Sequence, residues 1–248
     1  MTKFADFAAL HVAGDPLILF NAWDAGSAKV VAEAGAKAIA TGSASVAGAN
    51  GYADGEGLPL DFVIANLERI VGAVDLPVTL DFEGGYATDA DEVAANVRRV
   101  RNAGAVGINF EDQVVDGEGL HAIADQAARI AAIRAATGPD FFINARTDLF
   151  LKKWGGPHDQ AMIDEAVARG VAYAEAGASG YFVPGMVDIA QVAEVCRRVA
   201  LPINFMAYPG APDAKALAEA GIARISHGPF PWKAAMAALK EAAEGAYS

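Results

Sequence analysis

Acidic residues end two apolar segments of the sequence at corresponding places. Asp81 and Glu83 end the segment LPVTLDFE, and Glu111 ends VGINFE. A separation of two positions puts the side chains of Asp81 and Glu83 on the same side of an extended strand. Three carboxylates that meet at one place repel one another unless a cation neutralises them, and Mg²⁺ prefers carboxylate oxygens as ligands. No His or Cys cluster accompanies these acids to favour zinc, so the sequence predicts a magnesium site.

Acidic side chains are also common at helix N-termini, where they accept hydrogen bonds from free backbone N–H groups. For Asp112, which directly follows Glu111, we predict this capping role. For Asp81, Glu83 and Glu111 together the metal role is favoured, because two adjacent strands would bring all three to one end of a sheet.

One arginine, Arg146, ends the apolar segment FFINAR, where a cation is costly to bury unless it meets an anion. It could form a structural ion pair with Asp148 or Glu111, or bind a substrate carboxylate through its planar guanidinium. Beside a metal site the second interpretation is favoured. The ion would bind an enolate or 2-oxo oxygen and the neighbouring carboxylate, while Arg146 stabilises the remaining charge.

Two other segments consist largely of small residues. The segment TGSAS at 41–45 offers backbone N–H groups to an anion, or else is an ordinary polar loop. The segment GYADGEGLP at 51–59 carries Asp54 and is long enough to cover a site, although such a run is more often a solvated turn. His227 is expected to make structural hydrogen bonds, and Cys196 to pack within a helix.

Repeated helix endings indicate how many strands position these residues. AEAGAKAIAT, RNAGAVGINF, AEAGASGYFV and AEAGIARISH each resemble a helix that ends at a glycine and is followed by a short buried strand. Four other apolar segments lie at 16–24, 76–82, 139–148 and 201–208. Eight strands alternating with amphipathic helices predict an α/β fold, a single (β/α)8 TIM-type barrel over 1–248, with its chemistry at the carboxyl ends of the strands. A doubly wound sheet is disfavoured, because the first turn, NAWDAGSA, lacks the G-x-G-x-x-G pattern.

Composition excludes several classes of partner. The 248 residues include 19 Lys and Arg against 31 Asp and Glu, a net charge of −12, which argues against nucleic acid and against anionic membranes. Hydrophobic residues make up 54% of the chain, enough for a large core. We expect no signal peptide and no membrane-spanning segment, and a single cysteine fits a cytoplasmic protein.

The order of motifs resembles the isocitrate lyase/phosphoenolpyruvate mutase superfamily. From about Asn21 to Pro229 the chain carries NAWDAGSAKVVAEAG, TGSASVAGANGYADGE, LDFEGGYA, GINFEDQ, NARTD, VPG and INFMAYPG in the order that the superfamily has them. The resemblance implies a (β/α)8 barrel with bound Mg²⁺, or Mn²⁺ in its place. It also implies cleavage or formation of C–C or P–C bonds beside a 2-oxo acid through a pyruvate-like enolate, and assembly as a homodimer or homotetramer, often by exchange of a C-terminal helix.

The resemblance also implies roles for individual residues. Glu111 would hold metal-bound water and Arg146 would contact the enolate, which makes these two the candidate catalytic residues. The other implied residues fall into two groups: Asp81, Glu83 and Asp54 complete the metal shell with Glu111, while Ser43, Ala44, Ser45 and Asn204 bind the substrate carboxylates together with Arg146.

Three positions depart from the superfamily pattern. Its lyases carry a K-K-C-G-H loop whose Cys protonates the enolate, where this chain has QVVDGEGLH at 113–121. They also carry a Tyr where this chain has Ala40, and the Asn-bearing loop of the mutases is missing. His121 is the nearest protonatable residue to the lost Cys and is expected to begin the next helix. The departures disfavour a standard isocitrate lyase, methylisocitrate lyase or phosphonopyruvate-forming mutase.

The leading hypothesis is a Mg²⁺-dependent lyase that cleaves a C–C bond of a small 2-hydroxy or 2-oxo dicarboxylate. Phosphonomutase or other P–C bond chemistry on a phosphoenolpyruvate-like substrate is the alternative within enzymes. A barrel that binds oxo acids without turnover is the alternative outside them. The partner in each case is a small-molecule carboxylate.

Overall fold

Eight parallel strands form a nearly closed barrel, which confirms the predicted fold. The computed structural model describes residues 2–115 and 117–248. The strands are β1 Leu17–Leu19, β2 Ile39–Ala40, β3 Val78–Asp81, β4 Gly107–Glu111, β5 Phe142–Arg146, β6 Gly180–Phe182, β7 Ile203–Met206 and β8 Arg224–Ser226. The sheet order is β1-β8-β7-β6-β5-β4-β3-β2, and a parallel bridge between Ala22 and Thr41 joins the chain after β1 to the chain after β2.

Helices connect consecutive strands and surround the barrel. One additional helix precedes β1, and a short one follows β2 directly. The predicted loop 41–45 therefore contains the start of a helix. The α-helices are α1 Lys3–Ala9, α2 Ala25–Glu33, α3 Ser43–Ala49, α4 Leu60–Ala73, α5 Ala90–Asn102, α6 Ile123–Thr137, α7 Gln160–Glu175, α8 Ile189–Arg198, α9 Ala214–Glu219 and α10 Phe230–Tyr247.

Helix α5 shows how the sequence sets these boundaries. The side chain of Asp89 accepts hydrogen bonds from two N–H groups of the first turn, which caps the helix. Val93, Val97 and Val100, spaced four and three positions apart, lie on its buried face. Gly104 follows the helix at φ +99°, and a Cβ there would stand 2.8 Å from a methyl carbon of Val71. Glycine is therefore required at this helix end both by backbone conformation and by close packing.

Several predicted segments are longer than the strands they contain. β1 occupies only three residues of 16–24, and Asp24 instead caps α2 by accepting the N–H of Ser27 at 2.7 Å. Helix α6 begins two residues after His121, the residue expected to start it. In the part of the chain that the structure describes, no helix is long and apolar enough to cross a bilayer.

Helix α1 closes the amino end of the barrel. Phe7 is fully buried and packs with Leu17 and Leu19 of β1 and with Phe142, the first residue of β5. The ring of His11 stacks on Phe142 at 4.2 Å and meets the edge of Phe7 at 4.8 Å. Its Nδ1 lies 2.9 Å from the carbonyl oxygen of Phe7, so Nδ1 donates to this carbonyl in the neutral ring. Helix α1 thus covers the amino end of the barrel, opposite the carboxyl ends of its strands.

His11 makes the stability of the fold depend on pH. Burial, helped by the positive charge of Arg224, lowers the pKa of His11 from 6.5 to about 3. Between these values the unfolded chain binds a proton that the folded chain does not, so the free energy of unfolding falls as pH falls.

We expect His11→Phe, which keeps an aromatic ring and removes the titration, to lose stability less steeply below pH 6.5. The difference in free energy of unfolding between the variant and wild type should change by about 1.4 kcal/mol for each pH unit well below that value. The test is urea unfolding, followed by circular dichroism, at a series of pH values between about pH 7 and pH 4. Parallel pH profiles for the two proteins would contradict it.

Candidate active site

The predicted polar residues lie around two adjoining cavities at the open end of the barrel. The cavities have volumes of about 370 and 180 Å³ and share four lining residues, Ser43, Asp54, Arg146 and Leu151. Glu83, Glu111, Gln113, Asp148 and Lys152 also line the larger one. The smaller one reaches deeper into the barrel, and its lining includes Asn21, Ala44, Asp81, Asn109, Phe182 and Ser226.

Hydrogen bonds fix both carboxylate oxygens of Asp81, the last residue of β3. Its Oδ2 accepts the backbone N–H of Ser43 at 3.0 Å, and its Oδ1 accepts the Nδ2 of Asn109 at 3.2 Å. Arg146 Nη1 stands 3.9 Å from the same Oδ1. The carboxylate is therefore oriented by the start of α3 on one side and by the neighbouring strand β4 on the other.

Glu83 binds the loop at 51–59. Its two oxygens accept the backbone N–H groups of Gly55 at 3.0 Å and Glu56 at 2.7 Å. Glu83 itself has φ +50°, a left-handed conformation that costs energy in a residue with a Cβ. Burial, and next a hydrogen bond with Asp54, raise the pKa of Glu83 to about 8. The side chain thus connects the loop that carries Asp54 to the end of β3.

Arg146 is held on two sides by carboxylates. Its Nε and Nη2 donate to the two oxygens of Asp148 at 2.5 and 2.9 Å, and its Nη1 stands 2.8 Å from Glu111 Oε2. The guanidinium carbon also lies 5.8 Å from the centre of the Phe182 ring. Against the cost of burial, the charges of Asp148 and Glu111 raise the pKa of Arg146 well above its usual value. Both ion pairs considered from the sequence are therefore present, and Arg146 still lines both cavities.

The donor set fits a hard divalent cation. Asp54, Asp81, Glu83 and Glu111 all line these cavities and supply only oxygen ligands, the type that Mg²⁺ prefers. Burial raises the pKa of Glu111, and although Arg146 opposes this, nearby Asp148 adds to it, as expected where negative charge is in excess. Within residues 2–115 and 117–248, however, no three carboxylate, imidazole or thiol groups form a ready-made metal cluster.

The predicted carboxylate-binding residues occupy different depths. Ser43 and Ala44 line the cavities at the start of α3, which has no side-chain cap, and the N–H of Ser43 is already donated to Asp81. Ser45 is fully buried, and its hydroxyl has no protein partner among the described residues. Asn204 is also fully buried, with Oδ1 3.3 Å from the hydroxyl of Ser226 and with Nδ2 unpaired within the described chain. The structure thus brings Ser43 and Ala44 to the cavity surface and places Ser45 and Asn204 behind it.

The prediction that Asp112 caps a helix is wrong. Its side chain is completely buried, and Oδ2 accepts Arg169 Nη1 at 3.0 Å and the hydroxyl of Tyr173 at 2.8 Å. Its Oδ1 accepts the backbone N–H of Asp148 at 3.0 Å. Asp112 therefore connects α7 to the residue that holds Arg146. The acid has no free helix N-terminus to cap, because α6 begins only at Ile123.

Three polar residues in the barrel interior, at or below the smaller cavity, were not predicted. Asn109, Asn144 and Arg224 are all nearly inaccessible to solvent, and Asn109 Oδ1 accepts from Asn144 Nδ2 at 2.8 Å and from Arg224 Nη2 at 3.0 Å. Burial lowers the pKa of Arg224 to about 9, although the charge of Asp81 opposes this. The sequence does mark these residues as unusual: Arg224 interrupts the apolar segment GIARIS, and the amides Asn109 and Asn144 interrupt GINF and FINAR.

His227 and Cys196 lie where the sequence places them. The backbone N–H of His227 donates to Asn21 Oδ1 at 2.8 Å, and its ring Nδ1 is 3.1 Å from the carbonyl oxygen of Leu19. This confirms a structural role in joining β8 to β1. Cys196 is half-buried on α8, and burial raises the pKa of its thiol to about 11, so it is protonated and unreactive at neutral pH.

Comparison with known proteins identifies the family. The family model for phosphoenolpyruvate phosphomutase matches residues 7–247. This chain belongs to that family. The resemblance read from the motifs is thereby confirmed, and with it membership of the isocitrate lyase/phosphoenolpyruvate mutase superfamily of lyases and phosphonomutases.

Individual relatives cover nearly the whole chain. A 2-methylisocitrate lyase of Escherichia coli strain K12 is 31% identical over 253 residues, which is 98% of this chain and 82% of that protein. A structure from Burkholderia cenocepacia J2315, named as a candidate phosphonomutase, is 47% identical, covers 98% of both chains and has a TM-score of 0.96. Phosphonopyruvate hydrolase in complex with oxalate and Mg²⁺ shares the fold, with a TM-score of 0.85 at 24% identity over 97% of this chain and 85% of that one.

The buried contacts of Asp112 predict a large effect on stability. We expect Asp112→Ala to lower the free energy of unfolding by about 3–5 kcal/mol, because it removes the buried carboxylate that pairs with Arg169 Nη1 and accepts the Tyr173 hydroxyl. Glu165→Ala, which removes the partly exposed carboxylate on the other side of Arg169, is the control and should cost less than about 1 kcal/mol. Urea unfolding at one fixed protein concentration measures both, and equal losses would contradict the assignment.

Proposed function

We propose that this protein is a Mg²⁺-dependent lyase that cleaves a C–C bond of a small 2-hydroxy or 2-oxo dicarboxylate through a pyruvate-like enolate. The observation that carries the proposal is Arg146, a guanidinium held by Asp148 and Glu111 at the surface of a cavity rich in carboxylates. The 31% identity to a 2-methylisocitrate lyase over almost the whole chain supports a lyase. A single half-buried cysteine supports a cytoplasmic location.

Asp81, Glu83, Glu111 and Asp54 would hold the metal ion. When bound, Mg²⁺, or Mn²⁺ in its place, supplies a Lewis acid that polarises a substrate oxygen and offsets the negative charge of the site. Phosphonopyruvate hydrolase, which has the same fold, binds oxalate and Mg²⁺ together. Four carboxylates around one arginine would otherwise repel an anionic substrate, so a cation is needed for such a substrate to enter.

Arg146 stabilises the oxyanion that develops on the enolate. Because Asp148 occupies Nε and Nη2, the guanidinium is oriented before any substrate arrives. Donors fixed in advance stabilise developing charge without reorganising during the reaction, and one such donor is worth about 3–4 kcal/mol of barrier. Glu111, buried 2.8 Å from Arg146 Nη1, holds the guanidinium from the other side.

The cavity selects small substrates. The larger cavity, of about 370 Å³, lies at the lower end of the range for ligand sites, about 300–1,000 Å³, and the smaller one, of about 180 Å³, lies below it. Ser43 and Ala44 at the start of α3 bind one substrate carboxylate, and Ser45 supports this turn from behind. Asn204, behind Ser226, assists with the second carboxylate from the other side of the barrel.

A phosphonomutase is the second candidate, favoured by the 47% identity to the Burkholderia structure. The two activities differ in the bond that changes. ³¹P NMR of the protein with phosphoenolpyruvate and phosphonopyruvate distinguishes them, because a P–C bond moves the phosphorus resonance far from that of a phosphate ester. Release of a 2-oxo acid from a panel of 2-hydroxy dicarboxylates identifies a lyase.

Asp81→Ala tests the metal assignment. We expect the variant to remain folded, to lose calorimetric binding of oxalate in the presence of Mg²⁺, and to lose turnover by at least about 100-fold. Asp75→Ala removes a fully exposed acid and should leave both unchanged. Full activity in Asp81→Ala would refute the assignment, and absence of turnover by wild type with every substrate of both panels would refute the proposed enzyme.

We also propose a homodimer or homotetramer in which α10 packs on a second copy. Trp232 in its first turn lies against Gly48 of α3, but only Pro231 of α10 is buried. A groove of about 590 Å³ beside α1, β1 and α2 exposes Phe20 and other apolar side chains. An unpartnered helix and an unpartnered apolar groove on one chain are typical of an exchanged element.

Phe20→Glu in the groove and Leu239→Glu on α10 test this assembly. Each should reduce the mass measured by light scattering coupled to size exclusion, because a charge would enter an apolar contact. Val171→Glu, at an exposed apolar residue of α7, is the control and should not change the mass. A monomeric wild-type protein, or an unchanged mass in both variants, would contradict the proposal.

A further inference from the structure

Arg224 on β8 is a buried cation, 1% exposed, that forms no ion pair within the described residues. Its Nε and Nη1 have no hydrogen-bond partner there. Its hydrogen bond runs from Nη2 to Asn109 Oδ1 at 3.0 Å. Because β4 and β8 lie on opposite sides of the ring, this bond crosses the interior of the barrel. Burying a charge in this way is costly, so a merely space-filling role would be served better by an apolar side chain.

The chemistry of Arg224 decides which way the Asn109 amide points. A guanidinium can only donate hydrogen bonds, whereas an amide can present either its oxygen or its NH₂ group. Asn109 must therefore turn Oδ1 toward Arg224, where that oxygen also accepts Asn144 Nδ2 at 2.8 Å. The NH₂ group then faces the other way and donates to Asp81 Oδ1 at 3.2 Å. A flipped amide would place its oxygen against the carboxylate and its NH₂ group against the guanidinium.

We propose that Arg224 is a positioning residue: its donor-only guanidinium fixes the Asn109 amide so that Asn109 donates to Asp81 and holds that carboxylate toward the cavity. The inference rests on the proposed function, in which Asp81 holds the metal ion. The second hydrogen bond of Asp81, from the N–H of Ser43 at 3.0 Å, orients the other oxygen, so Arg224 governs one half of the carboxylate. Outer partners that orient metal ligands in this way change metal affinity by about 10–100-fold when they are lost.

The first test compares Mn²⁺ affinities, measured from the electron paramagnetic resonance signal of free Mn²⁺. We expect Arg224→Met to weaken Mn²⁺ binding by about tenfold or more, and Arg224→Lys, which also can only donate, to stay within about threefold of wild type. Arg224→Gln, which can donate or accept, provides a second comparison with Arg224→Lys if Arg224→Met does not fold. Equal affinities in wild type, Arg224→Gln and Arg224→Met would overturn the proposal.

A double-mutant cycle separates this route from a general loss of stability. Asn109→Ala should weaken Mn²⁺ binding about as much as Arg224→Met, and the double variant should bind no more weakly than either single variant, because both changes interrupt the same chain of hydrogen bonds. Circular dichroism confirms that each variant is folded. If the fold-losses in Mn²⁺ affinity of the two single variants multiply in the double variant, the two residues act independently, and the proposal is overturned.

A second measurement does not depend on metal binding. In protein labelled with ¹⁵N-asparagine, the side-chain NH₂ resonances of Asn109, assigned by their absence in Asn109→Ala, report directly on the group that Asn109 presents to Asp81. We expect Asp81→Asn to shift them in the wild-type and Arg224→Lys backgrounds but not with Arg224→Met. The same shift in all three backgrounds would overturn the role of Arg224. If wild type binds no Mn²⁺, the proposed metal site fails, and this measurement still decides the role of Arg224.

Discussion

The candidate active site depends on the ion pair between Arg146 and Asp148 at the carboxyl end of the barrel strands. Two charged hydrogen bonds fix the guanidinium, and Glu111 meets it from the adjacent strand. Each of these groups would be costly to bury alone, so the pairing is what allows a charged site to exist so close to the core. The geometry of this pairing comes from β4 and β5, whose register sets Glu111 directly beside Arg146.

Backbone and side-chain hydrogen bonds connect this ion pair and the nearby carboxylates to the surrounding helix and loop. The N–H of Asp148 donates to Asp112, and Asp112 binds Arg169 and Tyr173 on α7. On the opposite side, Glu83 binds the backbone of the loop that carries Asp54. Buried polar networks of this kind hold a unique arrangement when every member is satisfied. The residues around the cavity are therefore supported by the outer helix on one side and by the β2–α4 connection on the other.

The fold followed from the sequence because its periodic signals are local. Glycines such as Gly104 end helices whatever lies around them, and the apolar faces of α5 can be read from spacing alone. The carboxylates and Arg146 could be found because strand ends converge in a parallel barrel. Asp112 and Arg224 could not be assigned this way, because their partners are distant in sequence: Asp112 meets Arg169 from α7, and Arg224 reaches Asn109 across the barrel. A one-dimensional pattern shows that such a residue is unusual without showing what it meets.

The closed amino end has a kinetic consequence. Phe7 and Phe142 fill the amino end of the barrel, so a substrate would approach the cavities from the carboxyl ends of the strands. A reaction that splits one substrate into two products would then release them in a fixed order, with the fragment nearer the opening leaving first. The fragment bound deeper, beside Asp81 and Asn109, would compete directly with incoming substrate, whereas the first product to leave would not.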